Sequence, residues 1–370
     1  MKAQMDLFGK SMMKKQYEKK AHKKTAYKKT AGFPAAVTAI LIAMAVISAA
    51  ALFGCGNNQA KSSTIYGYFD TVTTVTGYDS AADFAAATDL VEEELQYWHQ
   101  LTDIYHEYSG ITNAYTLNER AGEEKVEVTA DLFALLSFGK EMYDLTDGEC
   151  NIAMGAVLQI WHEKREAALS GGSAELPSDE ALQAAAMHCD MEKLLLDAEE
   201  FSVFFADAEL RLDLGAVAKG YAAERIAEKL EAAGFSGYAL SLGGNVRVIG
   251  TKPGGAAWIS GIENPDTSAE EAYVETVPLT DEALVTSGSY QRYYEVDGVR
   301  YHHIISPETL YPKNEFLSVS VRCPDSGMAD ALSTALFNMP LSAGQALIES
   351  LPDTSVWWIL PDGGILCAGE

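Results

Sequence analysis

Residues 213–222 read Asp213-Leu214-Gly215-Ala216-Val217-Ala218-Lys219-Gly220-Tyr221-Ala222. A strand-like run ends at Asp213, two glycines bracket the turn, and helical spacing begins at Ala216 and continues to 233. A helix N-terminus with free backbone N–H groups and one lysine suits a pyrophosphate. Glycines at such a junction also serve as plain packing devices, and the spacing alone leaves both readings open. Working outward, 194–196, 201–205 and 210–212 read as short strands before the junction, and 238–242, 246–249 and 258–261 as strands after it.

The remaining segments extend the same mixture. The stretch 65–76, IYGYFDTVTTVT, is rich in aromatic and β-branched residues and predicts one strand. Apolar residues recur at helical spacing over 81–101 and 130–143, and 170–178 reads as a surface loop. A hairpin over 290–305 turns at Asp297-Gly298. A strand at 317–322, helices at 328–338 and 342–351, and a hairpin over 356–367 around Pro361-Asp362-Gly363-Gly364 complete the chain. Strands and helices intermix without a βαβ period or an internal repeat, which predicts an α+β fold: one compact unit of two lobes spanning 64–370.

Charge is unevenly placed. Ten lysines precede residue 30, opposed by Asp6 and Glu18 only; the remainder holds 17 basic against 51 acidic residues, a net charge near −34. Such a surface repels nucleic acid, whose binding needs basic patches. Residues 30–60 carry no charge, and 35–53 are apolar apart from Thr38 and Ser48. The run ends in Leu52-Phe53-Gly54-Cys55, similar to a bacterial lipobox. Residues 1–54 thus read as a basic leader and lipoprotein signal peptide, and 55–63 as a lipidated Cys55 with a linker, displayed outside a bacterial cell membrane. An uncleaved spanning helix is the alternative. The other cysteines, Cys150, Cys189, Cys323 and Cys367, form no C-x-x-C pair and read as buried free thiols.

Three further motifs bear on chemistry. Ser241-Leu242-Gly243-Gly244-Asn245 follows a strand, and its glycines allow either close approach of a ligand or a simple turn. In Tyr301-His302-His303-Ile304-Ile305-Ser306-Pro307 the adjacent histidines point to opposite faces of a strand, so one of them can act as a general base while the other packs. In Met328-Ala329-Asp330-Ala331-Leu332-Ser333-Thr334, Asp330 and Thr334 share one helix face and offer hard oxygen ligands suited to Mg²⁺. An exposed helix-start aspartate is the plainer explanation of the same residues.

Taken in order, these segments resemble the ApbE family of FAD:protein FMN transferases. The resemblance runs from about Tyr68 to the C-terminus. It rests on Phe69-Asp70-Thr71, on 213–220, on SLGGN, on Thr286-Ser287-Gly288-Ser289-Tyr290, on HHII-x-P and on ADALSTA. It implies Mg²⁺ bound by Asp330, Thr334 and the Ala216 carbonyl. FAD would be contacted by Phe69, Tyr108, Asp213, Lys219, Ile304 and Ser333, with His303 as the base. Glu149-Cys150-Asn151 stands at a further FAD contact, usually Ala-Phe-Asp in the family. Ser306 replaces a usual aspartate, and Leu310 a frequent glycine.

The activity so implied is Mg²⁺-dependent transfer of FMN from FAD to a threonine or serine hydroxyl, with release of AMP. The acceptors implied are flavoprotein subunits of Rnf- or Nqr-type or extracellular electron-transfer complexes, within a D-x-x-[ST]-G-A-[ST] segment. Hydrolysis of FAD to FMN and AMP, or flavin capture by a non-catalytic lipoprotein, are the alternatives.

Overall fold

A computed structural model describes residues 59–369; the leader, the apolar run and Cys55 lie outside the described residues. The chain opens with β1 (Lys61–Tyr68) and β2 (Thr71–Gly77), followed by helices α1 (Ala81–Thr102) and α2 (Ala114–Glu119). Next come β3 (Val126–Glu127), α3 (Ala130–Leu145), α4 (Gly155–Leu169), α5 (Asp179–Ala186), β4 (Leu194–Asp197) and β5 (Ser202–Phe205). Helix α6 (Ala218–Ala232) leads into β6 (Tyr238–Leu242), β7 (Asn245–Ile249), β8 (Trp258–Glu263), β9 (Tyr273–Leu279) and β10 (Ala283–Gly288). The last part holds β11 (Tyr293–Val296), β12 (Val299–His302), β13 (Ser318–Cys323), α7 (Ser326–Asn338), α8 (Leu341–Glu349), β14 (Ser355–Ile359) and β15 (Ile365–Gly369). The α+β expectation holds.

Eight strands form one sheet in the order β1-β2-β6-β7-β10-β13-β14-β15, antiparallel throughout. Strand alternation sends Val75, Leu240, Leu242, Val285, Val319 and Val321 to one face, where they join Val91, Leu95, Ile226, Leu332 and Leu336 of α1, α6 and α7 in the main core. On the other side, Val248, Leu284 and Ile359 meet Trp258, Ile262, Val277 and Leu279 of the β8–β9 ladder. A third cluster surrounds Trp161 of α4 and includes Tyr294 and Ile305. Among the described residues no helix is long and apolar enough to cross a membrane.

Several expectations change. The single strand over 65–76 is a hairpin: Tyr68 pairs with Thr71, and Phe69 and Asp70 turn between them at φ 53° and 50°. Asp tolerates this left-handed region, Phe does so rarely, and the unbroken β-type composition hides the turn. Residues 210–212 make only an isolated parallel bridge, Arg211 to Met154. Helices α4 and α5 and strands β9 and β10 had no counterpart in the sequence reading. Cys150 and Cys323 are buried free thiols as expected, but Cys189 is half-buried and Cys367 exposed.

Helices α6 and α7 lie against each other with no room for a side chain at Gly220. A Cβ there would collide with the Ser326 carbonyl oxygen and with Cβ of Asp330. Beneath that contact the buried Glu224 carboxylate takes Nε and Nη2 of Arg247 at 2.9 and 3.0 Å and the Ser326 N–H at 2.7 Å. The start of α7 is therefore fixed by a side chain of α6 and one of β7. Gly220→Ala is expected to cost about 1–3 kcal/mol, because the obstacle is backbone. Urea unfolding measures this, and a variant as stable as the parent would mean that the two helices separate freely.

Candidate active site

The junction that opened the sequence reading borders a cleft, where Asp213 and His303 keep contact with solvent although surrounding protein desolvates both. The Asp213 N–H donates to the Ile152 carbonyl at 2.9 Å and Asp213 Oδ1 accepts the Gly215 N–H at 2.8 Å. Desolvation raises the Asp213 carboxyl above its ordinary pKa, with the Gly215 N–H, His162 and Arg165 opposing. The helix N-terminus is less open than expected, since the N–H groups of Val217 and Ala218 both go to the Leu214 carbonyl. Gly220 is the third residue of α6, so its N–H has no acceptor within the helix, and it donates to Asp330 Oδ2 at 2.8 Å. The Ala216 carbonyl precedes the N-cap Val217 and so lies outside the helix.

Asp330 is 3% exposed, so the exposed helix-start reading does not describe it. Lys219 Nζ lies 3.8 Å from the same Oδ2. Burial raises the carboxyl pKa; Lys219, the Gly220 N–H and Asn245 oppose it in part. The Asn245 side chain is buried beside that carboxylate. One turn along α7, Thr334 Oγ1 stands 3.4 Å from Ser287 Oγ, which also bonds Ser333 Oγ at 2.7 Å. Among the described residues no group of three or more His, Cys, Asp or Glu gathers as a metal cluster. The donors present are one carboxylate, a hydroxyl and the Ala216 carbonyl ahead of the helix. That set fits Mg²⁺, which fills the rest of its shell with water and phosphate oxygens; softer metals prefer imidazole or thiolate.

The histidine pair divides at the end of β12, where His302 closes the strand and His303 follows it. His302 is 2% exposed; its Nε2 donates to the Lys313 carbonyl at 2.7 Å and its Nδ1 accepts the Ile304 N–H at 3.2 Å. Both nitrogens are engaged, and its role is structural. His303 is exposed, and its N–H and Nδ1 both reach the Arg292 carbonyl, at 3.1 and 3.3 Å. A carbonyl can only accept, so Nδ1 carries the hydrogen and Nε2 the lone pair. The ring meets the solvent of the cleft while the cleft walls crowd it. That enclosure, then Arg292, His302, Lys219 and Arg165, lowers its pKa and favours the neutral imidazole.

An aromatic wall stands beside it. Phe69 and Tyr108 both pack edge-on to His99, with centroids 5.7 and 6.5 Å away. The Phe69 N–H donates to His99 Nδ1 at 3.3 Å, which holds the strained turn. Arg292 ties that turn to the His303 segment by donating to the Asp70 carbonyl at 3.2 Å. The Tyr108 hydroxyl is committed to Asp103 Oδ2 at 2.7 Å. Tyr105, which the motifs did not single out, is 54% exposed and feels Asp213, Arg165, Asp70 and Arg292.

The remaining site candidates fare unevenly. Cys150 is fully buried behind Asp330, and both amide atoms of Asn151 are engaged, with the Cys189 carbonyl and the Ala153 N–H. Of the three, only Glu149 keeps an oxygen, Oε2, without a partner. Ile304 is buried with its N–H bonded to His302, and the buried Ser333 hydroxyl already bonds the Asp330 carbonyl at 2.9 Å. Gly243-Gly244 is the simple turn, at φ 58° and 100°, that delivers Asn245 beneath Asp330. Ser306 is buried, and its Oγ accepts the N–H groups of Glu308 and Thr309, both at 3.3 Å, a turn that aspartate forms equally well. Leu310 sits at φ 62°, where glycine costs nothing. An open groove lined by Gln159, Glu163, His188 and Arg211 contains none of the candidate residues.

Comparison with known proteins follows the same outline. The model of the ApbE family matches residues 69–358. A FAD:protein FMN transferase of Treponema pallidum is 33% identical over 296 residues, covering 76% of this chain and 79% of that protein. One of Klebsiella pneumoniae is 31% identical over 251 residues, covering 68% and 75%. The crystal structure of the ApbE protein from Thermotoga maritima superposes with a TM-score of 0.72 at 27% identity, over 84% of this chain and 97% of that one. The flavin transferase ApbE from Vibrio cholerae, at 24% identity and a TM-score of 0.70, shares the fold over 84% and 97% of the two chains.

Proposed function

The chain belongs to the ApbE family, and on that premise we propose that it transfers FMN from FAD to a serine or threonine hydroxyl of an extracytoplasmic flavoprotein. The observation that carries this reading is a buried carboxylate beside a lysine, together with a histidine that has a free Nε2 lone pair and feels the charge of that lysine. In the reaction the acceptor oxygen bonds to the FMN-side phosphorus, the bridging P–O bond breaks, and AMP leaves. His303 Nε2 takes the hydroxyl proton, which an unaided alcohol does not release at neutral pH.

Lys219 offers a cation to the pyrophosphate, and Phe69 and Tyr108 offer a face for the flavin ring. Asp330, Thr334 and the Ala216 carbonyl would hold Mg²⁺, which supplies charge neutralisation at the pyrophosphate. The Arg292 carbonyl keeps His303 in the tautomer with Nε2 unprotonated. The test is incubation with FAD, Mg²⁺ and a peptide carrying D-x-x-[ST]-G-A-[ST], followed by mass analysis. FMN on the peptide with equimolar AMP is expected. AMP and free FMN without a modified peptide would replace transfer by hydrolysis, and tight flavin retention without turnover would leave a binding protein.

The sequence around Cys55 supports attachment to the outer face of the cell membrane. A buried acyl chain contributes about 0.8 kcal/mol per CH₂, and two chains anchor stably. Cys55→Ser is expected to remove the lipid mass and to release the protein from the membrane fraction. Unchanged mass and fractionation would replace the lipid by an uncleaved helix.

A further inference from the structure

Helix α4 carries two polar side chains that the proposed chemistry leaves unused. Arg165, its side chain 17% exposed, donates from Nη2 to Nδ1 of His162 at 2.9 Å. A guanidinium has no lone pair to offer, so His162 Nδ1 accepts and its hydrogen sits on Nε2. Together the pair presents N–H donors.

Two contacts anchor it at the cleft. Trp161 Nε1 donates to the Leu310 carbonyl at 2.9 Å, and the Trp161 ring stacks on Tyr301, centroids 5.9 Å apart and planes at 23°. These tie α4 to β12 through Tyr301 and to the segment that follows it through Leu310, with His303 between the two. The His162 ring lies against Tyr105, with centroids 5.4 Å apart. From this position His162 and Arg165 both act on Asp213, and Arg165 also acts on His303. The carboxylate nearest to Arg165, that of Glu166 at 3.5 Å, is half exposed to water and neutralises it weakly. In a chain with 51 acidic residues after its leader, a preorganised Arg–His donor pair in a cleft wall is suited to one class of ligand.

We propose that Arg165 and His162 form an anion-binding arm of this cleft, distinct from Lys219, that grips a phosphate or carboxylate oxygen of a substrate. The inference rests on the cleft being the transfer site. The anion has two possible sources, the phosphates of the nucleotide or a carboxylate of the acceptor segment. Equilibrium binding of FAD, AMP and inorganic pyrophosphate, measured without turnover, and the KM for the acceptor peptide separate them.

Arg165→Ala removes charge-assisted hydrogen bonds, so about a tenfold to hundredfold loss is expected in one of these constants. Weaker binding of FAD and pyrophosphate with an unchanged peptide KM identifies a phosphate. A raised peptide KM with unchanged FAD affinity identifies a carboxylate. Arg165→Lys restores the charge without the planar fork and should recover part of the loss. Should the alanine variant unfold, Arg165→Gln keeps the stem and an N–H donor while removing the charge and the guanidinium fork. A folded variant that moves neither the nucleotide affinities nor the peptide KM overturns the arm. A parent protein that binds pyrophosphate through Arg165 yet modifies no peptide keeps the arm and removes the transfer reading.

Discussion

Replacing Asp330 by asparagine is expected to lower FMN transfer by on the order of 10²–10³-fold, the scale of losing one preorganised stabiliser of transition-state charge. Asparagine keeps an oxygen for the Gly220 N–H, so the α6–α7 contact survives while the charge is lost. The stability effect has a definite sign. Burial holds the Asp330 carboxyl above its ordinary pKa, so its ionisation costs folding free energy at pH values above the folded pKa. The asparagine variant should therefore melt no lower than the parent at pH 7, and any gain should fade as the pH falls toward the unfolded carboxylate value.

Mg²⁺ with FAD should raise the Tm of the parent through preferential binding to the folded state and leave the variant unmoved. Asp330→Ala also leaves the buried Gly220 N–H unpaired, at a cost of about 1–3 kcal/mol. Full turnover in the asparagine variant would remove Asp330 from the chemistry.

Loss of the base is the second large effect. His303→Ala should lower transfer by about 10²–10⁴-fold while FAD binding persists. Because the cleft lowers the imidazole pKa, His303 stays neutral below the ordinary value of about 6.5. The acid limb that it contributes to kcat/KM should accordingly lie below that pH and be absent from the alanine variant. His302→Ala leaves the Ile304 N–H and the Lys313 carbonyl without their partner and should lower stability while sparing kcat at low temperature. An inactive His302 variant beside an active His303 variant would exchange their roles.

The sequence disclosed elements wherever the pattern had a period or a turn chemistry of its own. Asp297-Gly298 turned the β11–β12 hairpin where expected; alternation implied that only one of the two histidines faces the site, and the resemblance chose His303. Phe69-Asp70 escaped because its turn is held by tertiary contact with His99 rather than by a turn dipeptide. Strand β9 escaped because its outward pattern is polar and contains Pro278, and α4 because it buries only Gly155, Val157 and Trp161. Within the site, Asp330 and Thr334 were readable as one helix face. The partnership of Asp330 with Gly220, separated by 110 residues, and that of Ser287 with Thr334 depend on sheet order and leave no local trace.

The hydrogen bond from Gly220 to Asp330 also sets when activity can arise during synthesis. A chain emerging from its N-terminus makes strands in nearly the order in which the sheet uses them. The helix that completes the reactive centre, however, begins only at residue 326 of 370. Every shorter nascent chain lacks the carboxylate, the hydroxyl and the acceptor of the Gly220 N–H. Premature release products should be chemically silent however well their sheet has formed, so that competence arrives in a single late step of assembly.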